Sequence, residues 1–307
     1  MKSRVLPVCL VFFLSKVVCQ TPANHPTPVG TLFDQFETVF YAKATALASS
    51  NVRDFTRLPF DLALRGLEEL SKGESGRVLG KSSGIAVGTK DYLPPNGLGM
   101  VRSTFCYIIF LKQFEDINQY FKQPVASVVG VPIWQWTASL EEFGENEPKP
   151  SVLYVSELER SYLVISNDLQ QLQNVITQLV SSQGEAARVS KTIPDWTDLG
   201  RHTFWGYRRY RHKEQPNRGA AGMQNITSAA QSLYLYADEG EKAGVLRLRS
   251  STESDATADN LNATKMLPPF KKIGAGVWQS VVPLSFQDTD PDPVFAIAWL
   301  FGFGPVV

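Results

Sequence analysis

Apolar and polar positions along this chain alternate with two different periods, and the switch between them marks its most legible unit. Tyr162-Leu163-Val164-Ile165 is a short apolar run of strand type. Ser166-Asn167-Asp168 follow, three residues favoured at helix N-caps. Leu169, Leu172, Val175, Ile176 and Leu179 then recur on one face at helical spacing, with Gln and Asn opposite. Gly184, just past Ser181-Ser182, supplies a stop. A similar strand-then-helix pattern runs from Tyr107 to Gln123 and aligns apolar with apolar on 162–178. That match supports a shared supersecondary unit. It does not establish a duplication, because any two such segments share the pattern.

The same periods assign the rest of the chain. A first helix is expected over 32–48, with Leu32, Phe33, Phe36, Val39 and Phe40 as its stripe. A second starts at Pro59 and buries Leu62, Leu67 and Leu70 before Gly73. Strands are expected around Ile85 to Val87 and over Met100 to Leu111. Past Pro132, Trp134, Trp136, Ala138 and Leu140 share one face of an alternating strand. Ser151 to Val155 and Tyr162 to Ile165 form a hairpin. Leu233 to Tyr236 and Val245 to Arg249 are strands, the latter with Leu246 and Leu248 pointing one way and Arg247 and Arg249 the other. A helix is expected over 255–266, and Val277 to Leu284 and Val294 to Phe301 close the sheet as strands.

Strands in pairs or triplets punctuated by helices predict an α+β fold. Its sheet is largely antiparallel, built from strand-strand-helix units with the helices packed on one face, after an N-terminal helical segment. A doubly wound parallel sheet would need a helix after nearly every strand, and the pattern lacks them.

The N-terminus changes the picture of location. Lys2 and Arg4 precede an apolar core from Val5 to Leu14, and Val17-Val18-Cys19 offers a cleavage point before Gln20. Residues 1–19 therefore read as a signal peptide, and export implies a secreted or periplasmic protein. Lipid anchoring at Cys19 fits less well, because Lys16-Val17-Val18 is a poor lead-in to a lipidated cysteine. Residues 20–30, with Pro22, Pro26 and Pro28, read as a flexible tether. Residues 31–307 form a single domain; a division into two lobes would fall at the glutamate- and proline-rich 141–150.

Removal of Lys2, Arg4 and Lys16 leaves 27 basic against 30 acidic residues, a net charge near −3. That balance gives no general attraction to nucleic acid. The one remaining cysteine, Cys106, sits in an apolar run and reads as a buried thiol. No apolar run, that at Val5 to Leu14 included, is long enough to span a bilayer as a helix.

Candidate chemistry is sparse. Gly80-Lys81-Ser82-Ser83-Gly84 matches the pattern of a nucleophile elbow, with His202 as base and Asp198 (or Asp195) to orient it. A strand-forming Ile-Ala-Val follows, however, where the elbow needs a helix. Gly76 and Gly80-Lys81-Ser82 fall one residue short of a phosphate-binding loop. Asp288, Asp290 and Asp292 have calcium-loop spacing, but Pro293 and Trp299 occupy the positions of its glycine and glutamate, so no metal site is assigned. No cofactor is implied. Asn225-Ile226-Thr227 and Asn262-Ala263-Thr264 are glycosylation acceptors in a host with that pathway.

The segment that suggests binding is Arg201 to His212. It sets Arg201, Arg208, Arg209 and Arg211 among Trp205, Tyr207 and Tyr210. Guanidinium forks suit carboxylate, sulfate or phosphate, and flat rings suit sugars, so acidic polymers or glycans are the expected partners. The competing explanation is an edge strand defended by charge. The sequence thus favours a non-catalytic binding or structural protein of the cell envelope or exterior; the alternative is a serine hydrolase using Ser82 with His202.

Overall fold

The computed structural model describes residues 29–48, 82–92, 102–112, 121, 123–140, 149–159, 161–181, 199–210, 223–250, 256–284 and 292–301. The expected signal peptide, the helix expected from Pro59 and residues 113–120 of the first strand-then-helix unit lie outside these residues.

Among the described residues, twelve strands make one sheet: β1 (Thr38–Lys43), β2 (Ser82–Tyr92), β3 (Arg102–Leu111), β4 (Ala126–Val128), β5 (Val131–Leu140), β6 (Lys149–Leu158), β7 (Tyr162–Ser166), β8 (Phe204–Arg209), β9 (Ala230–Ala237), β10 (Ala243–Ser250), β11 (Lys271–Gly274) and β12 (Val277–Pro283). Their spatial order is β11-β12-β10-β9-β8-β1-β2-β3-β7-β6-β5-β4. Every neighbouring pair is antiparallel. The helices are α1 (Val29–Gln35), α2 (Ala44–Ala48), α3 (Leu169–Ser181), α4 (Met223–Ala229), α5 (Ala258–Leu261) and α6 (Asp292–Leu300). The α+β class and the antiparallel sheet are as the sequence predicts. β3 and β7, the strands of the two similar units, are direct neighbours with Tyr107 opposite Ile165.

Alternation along the strands divides the buried side chains between two cores, one on each face. Phe40 and Ala42 of β1 join Ile85, Val87, Phe204, Leu246 and Leu248 on the first face, sealed by Ile226 of α4, Leu261 of α5 and Ile297 of α6. Val39 and Tyr41 join Ala86, Cys106, Trp205 and Tyr234 on the second, under Leu32 and Phe33 of α1 and Leu172, Val175 and Ile176 of α3. Helices therefore cover both faces, where a single covered face was expected. Each helix follows the apolar stripe nearest to it, and an antiparallel sheet twelve strands wide has two apolar faces to shield from water.

Three elements depart from the periodicity. The helix expected over 32–48 is three elements, with α1 ending at Gln35, β1 intervening and α2 following. Thr38-Val39-Phe40-Tyr41 is rich in β-branched and aromatic residues, and hydrogen bonding to strands on both sides overrides the helical spacing. The tether also ends sooner than expected, since Val29 and Gly30 are buried in α1. The helix expected over 255–266 is only the four residues of α5, with Thr257 as N-cap accepting from the Asn260 amide. Asn262 then stops it: its side chain accepts from the Phe270 N–H at 2.7 Å and donates to the Phe270 carbonyl at 3.3 Å. The expected strand over 294–301 is α6. Pro293 stands at its first turn, and Ala296, Ile297 and Leu300 are buried at helical spacing. Its C-terminal carbonyls are satisfied from the sheet, by Tyr210 Oη on Leu300 O at 2.5 Å and Thr38 Oγ1 on Phe301 O at 3.3 Å.

The unit at 162–181 forms as the sequence reads. Ser166 Oγ donates to the Phe105 carbonyl at 2.6 Å, and Asn167 Oδ1 accepts from the Phe105 N–H at 2.9 Å. Asp168 Oδ1 accepts from the Gln171 N–H at 2.8 Å, the N-cap bond of α3. The three polar residues thus fasten β7 to β3 and start the helix.

Aromatic rings of β1 and its approach fill spaces that neighbouring strands leave open. A Cβ on Gly206 would lie 2.3 Å from Cε1 of Phe40, and one on Gly88 would lie 2.4 Å from Cδ2 of Phe36. Phe40 is fully buried and has nowhere to retreat. Gly206→Ala is therefore expected to destabilise the fold by about 1–3 kcal/mol, the usual cost of overpacking a core. Urea unfolding of the two proteins checks it; an unchanged midpoint would mean that the ring can move.

Candidate functional site

The basic and aromatic run predicted to bind occupies β8 and the turn before it. β8 is an interior strand, hydrogen-bonded to β1 on one side and β9 on the other, so neither the exposed binding strip nor the charge-defended edge describes it. Its aromatic rings are core. Trp205 lies between Phe33 and Tyr41, each stacked at 5.8 Å between ring centroids. Tyr207 meets Phe33 edge-on at 5.4 Å and Tyr234 at 5.2 Å. Tyr210 is buried on the opposite face, and Arg208, also buried, sits over its ring at 5.1 Å. Arg209 donates to the Phe33 carbonyl at 3.1 Å. Arg201 is exposed in the turn. Arg211 and Asp198 lie outside the described residues. Expectations for Trp205, Tyr207 and Tyr210 as a sugar-stacking platform are therefore corrected, because long-range pairing buries them.

The hydrolase constellation does not assemble either. Ser82 is buried at the start of β2, opposite Leu111 of β3, in a strand and not on a strand-to-helix turn. His202 turns towards β9. Its Nδ1 lies 3.0 Å from Asp238 Oδ2, and its ring stacks on Tyr236 with centroids 4.2 Å apart. The other Asp238 oxygen accepts from the Thr203 N–H at 3.1 Å. β1 runs between β2 and β8, with Lys43 opposite Gly84 on one side and its N–H bonded to the Thr203 carbonyl on the other. Two strand spacings, roughly 9–10 Å, thus separate the backbones that carry Ser82 and His202. Asp238, 36 residues along the chain from His202, takes the place predicted for Asp198.

Polar residues do converge on the neighbouring strands, on the face that α1 and α3 cover elsewhere. Register places Lys271, Gln279, Arg247 and Tyr234 in one row across β11, β12, β10 and β9. Arg247 Nη2 donates to Tyr236 Oη at 2.8 Å and to Gln279 Oε1 at 3.4 Å, and the guanidinium lies 5.4 Å from the Tyr236 ring centroid. Arg249 stands one alternation further along, opposite Ser232. Lys271 is exposed, and Arg247, Tyr236 and Gln279 are half-buried. Chain order hides this cluster because three hairpin partners supply it. Its one local signal was the outward pair Arg247 and Arg249.

Among the described residues no group of three or more His, Cys, Asp or Glu is placed to hold a metal ion; Asp288 and Asp290 lie outside them, and Asp292 opens α6. Burial raises the Cys106 thiol well above its ordinary pKa and the Tyr41 hydroxyl above 10. Tyr207 is raised by burial, partly opposed by the charge and hydrogen bond of Arg209.

No family model matches the chain, and no curated protein matches it. Solved structures of TP0453 are distantly similar. Crystal form I gives a TM-score of 0.45 at 11% identity over 90% of this chain and 98% of that one. Crystal form III gives 0.45 at 8% identity over 88% and 98%, and form IV gives 0.43 at 9% over 84% and 93%. Likeness at that level carries no argument about fold or function.

Two outcomes follow from this geometry. Ser82→Ala is expected to leave hydrolysis of p-nitrophenyl esters at the wild-type level, and loss of a measurable turnover would restore the nucleophile. Tyr41 keeps its proton in the folded state where the unfolded chain releases it near pH 10. Its contribution to stability is then complete below about pH 10 and declines as pH rises beyond it. Tyr41→Phe should flatten the fall in urea midpoint between about pH 9 and about pH 11. An equally steep fall would exclude Tyr41 as a source.

Proposed function

We propose that the protein is an exported, non-catalytic binding protein that engages acidic polymers or glycans through the β9–β12 face. The supporting observation is Arg247, oriented by Tyr236 and Gln279 in the same row as exposed Lys271. A guanidinium held in place loses little freedom on meeting a carboxylate or sulfate, and its planar fork can grip two oxygens at once. Export rests on the residues at 1–19. No helix among the described residues is long and apolar enough to cross a membrane.

The reading retains the partner class that the basic run suggested and moves the contact to the adjacent strands. It is checked by retention on heparin-agarose and on immobilised polygalacturonate. The double variant Arg247→Ala, Lys271→Ala should elute at clearly lower salt than the wild type, since screened surface charges carry the attraction. Equal elution would overturn the assignment of this face.

A further inference from the structure

The outward side of β12 presents Val277, Gln279 and Val281, while Trp278, Ser280 and Val282 turn into the core. Register sets this ridge between two basic neighbours. Lys271 of β11 stands opposite Gln279 on one side. Arg247 and Arg249 of β10 stand opposite Gln279 and Val277 on the other. Val281 is thus a diagonal neighbour of both Lys271 and Arg247, at roughly 7–8 Å between backbones. It is 57% exposed, and Ile273, at the bulge of β11, is 52% exposed.

Two large apolar side chains therefore lie open to water beside cations. Strands β9 to β12 carry Arg247, Arg249, Lys271 and Lys272 and contain no Asp or Glu. The acids Asp238, Glu239 and Glu241 stand past one end of the face, at the β9–β10 turn, where Asp238 is held by His202 and the Thr203 N–H. Arg247 is bonded to Tyr236 Oη and Gln279 Oε1, so its guanidinium rests along the sheet and leaves Val281 uncovered.

A hydrated polymer would meet these cations and leave the ridge facing water. A surface whose anionic groups lie over hydrocarbon satisfies both: the cations meet phosphates, and the apolar side chains leave water beside them. The footprint decides against a protein partner. Three strand spacings by four residues span about 14 Å each way, roughly 200 Å², a quarter of the ~800 Å² that a stable interface buries per partner.

We infer that the β10–β12 face docks on anionic lipid surfaces. Arg247, Arg249 and Lys271 meet the headgroup phosphates, and Val281 and Ile273 enter the boundary beneath them. The inference rests on the reading of this face as an anion-binding surface and specifies what carries the anion. Docking is weak and reversible, because a few cations and two small side chains supply it.

The test is cosedimentation of the full chain with large unilamellar vesicles of phosphatidylglycerol or of phosphatidylcholine. Binding to the first should be at least tenfold tighter than to the second and should fall as sodium chloride rises. The double variant Val281→Ser, Ile273→Ser should weaken binding to phosphatidylglycerol vesicles about tenfold and leave elution from heparin unchanged. It should keep the wild-type urea midpoint, since both positions are already open to water. Arg247→Ala, Lys271→Ala should weaken both kinds of binding. The inference is overturned if the wild type does not sediment with phosphatidylglycerol vesicles, if phosphatidylcholine binds it equally, or if the Val281→Ser, Ile273→Ser variant binds as the wild type does. Retention on heparin without vesicle binding overturns the lipid inference alone and leaves the acidic-polymer reading standing. Vesicle binding that depends on Val281, Ile273, Arg247 and Lys271, with heparin elution indifferent to all four, does the reverse. Vesicle binding indifferent to Arg247→Ala, Lys271→Ala removes the lipid inference as well.

Discussion

Phe40 and Tyr41 leave β1 in opposite directions, and each ring takes space that a neighbouring strand leaves open, over Gly206 of β8 and beside Gly84 of β2. β1 is also the seam of the sheet. It is the only hydrogen-bonded link among the described strands between β2–β7 on one side and β8–β12 on the other. Its alternate residues feed the two cores, so a change in β1 register by one residue would exchange their contents. Phe33 extends the same packing out of the sheet: its ring stacks on Trp205, and its carbonyl holds Arg209. α1, β1 and β8 therefore share one packing unit.

The rest of the architecture consists of answers to what a sheet of this width leaves exposed. Each face carries an apolar band, and each band has its own helices. The edges are treated differently from the middle. β4 has three residues and is joined to its partner β5 by a two-residue turn, Val129-Gly130, with both residues at positive φ. β11 is exposed along its length and carries Lys271 and Lys272. Short length at one margin and lysine at the other both discourage pairing with a second sheet. The charge-defended edge that the sequence suggested does exist, but in β11 and not in the run at 201–212.

Legibility followed the range of the interactions. The 162–181 unit was readable because its determinants are local: a cap at Asp168, a stripe at helical spacing, a strand just before. The alternation in β5 and β10 was readable because one face of each is apolar and the other polar. β1 was misread because a central strand is buried on both sides, and its apolar positions at 32, 33, 36, 39 and 40 also fit a helix. α6 was misread for the converse reason: an uncharged run is the same string whether it ends as a buried strand or a helix, and only Asp292-Pro293 pointed to the latter. The aromatic and basic run failed at the level of the sheet. Nothing in Arg201 to Tyr210 reveals that β1 and β9 will enclose it. Likewise nothing local joins Tyr236, Arg247 and Gln279.

Charge is unevenly laid out over this frame, and that shapes what the basic face can do. The segment 123–140, forming β4 and β5, has no ionisable acid or base, and α3, which packs against β4, β6 and β7, has none either. At the other end of the sheet stand Lys271, Lys272, Arg247 and Arg249, with Asp238 and Glu241 at the β9–β10 turn. Lys149 and Glu157 of β6 and Asp168 at the start of α3 interrupt that neutral stretch, so ionic groups are concentrated towards β9–β12 without being confined there. The Debye length in physiological salt is about 8 Å, shorter than two strand spacings, so the charges on β10 to β12 act mainly on their own margin of the sheet. Any attraction exerted by Arg247 and Lys271 is therefore local and falls as salt rises.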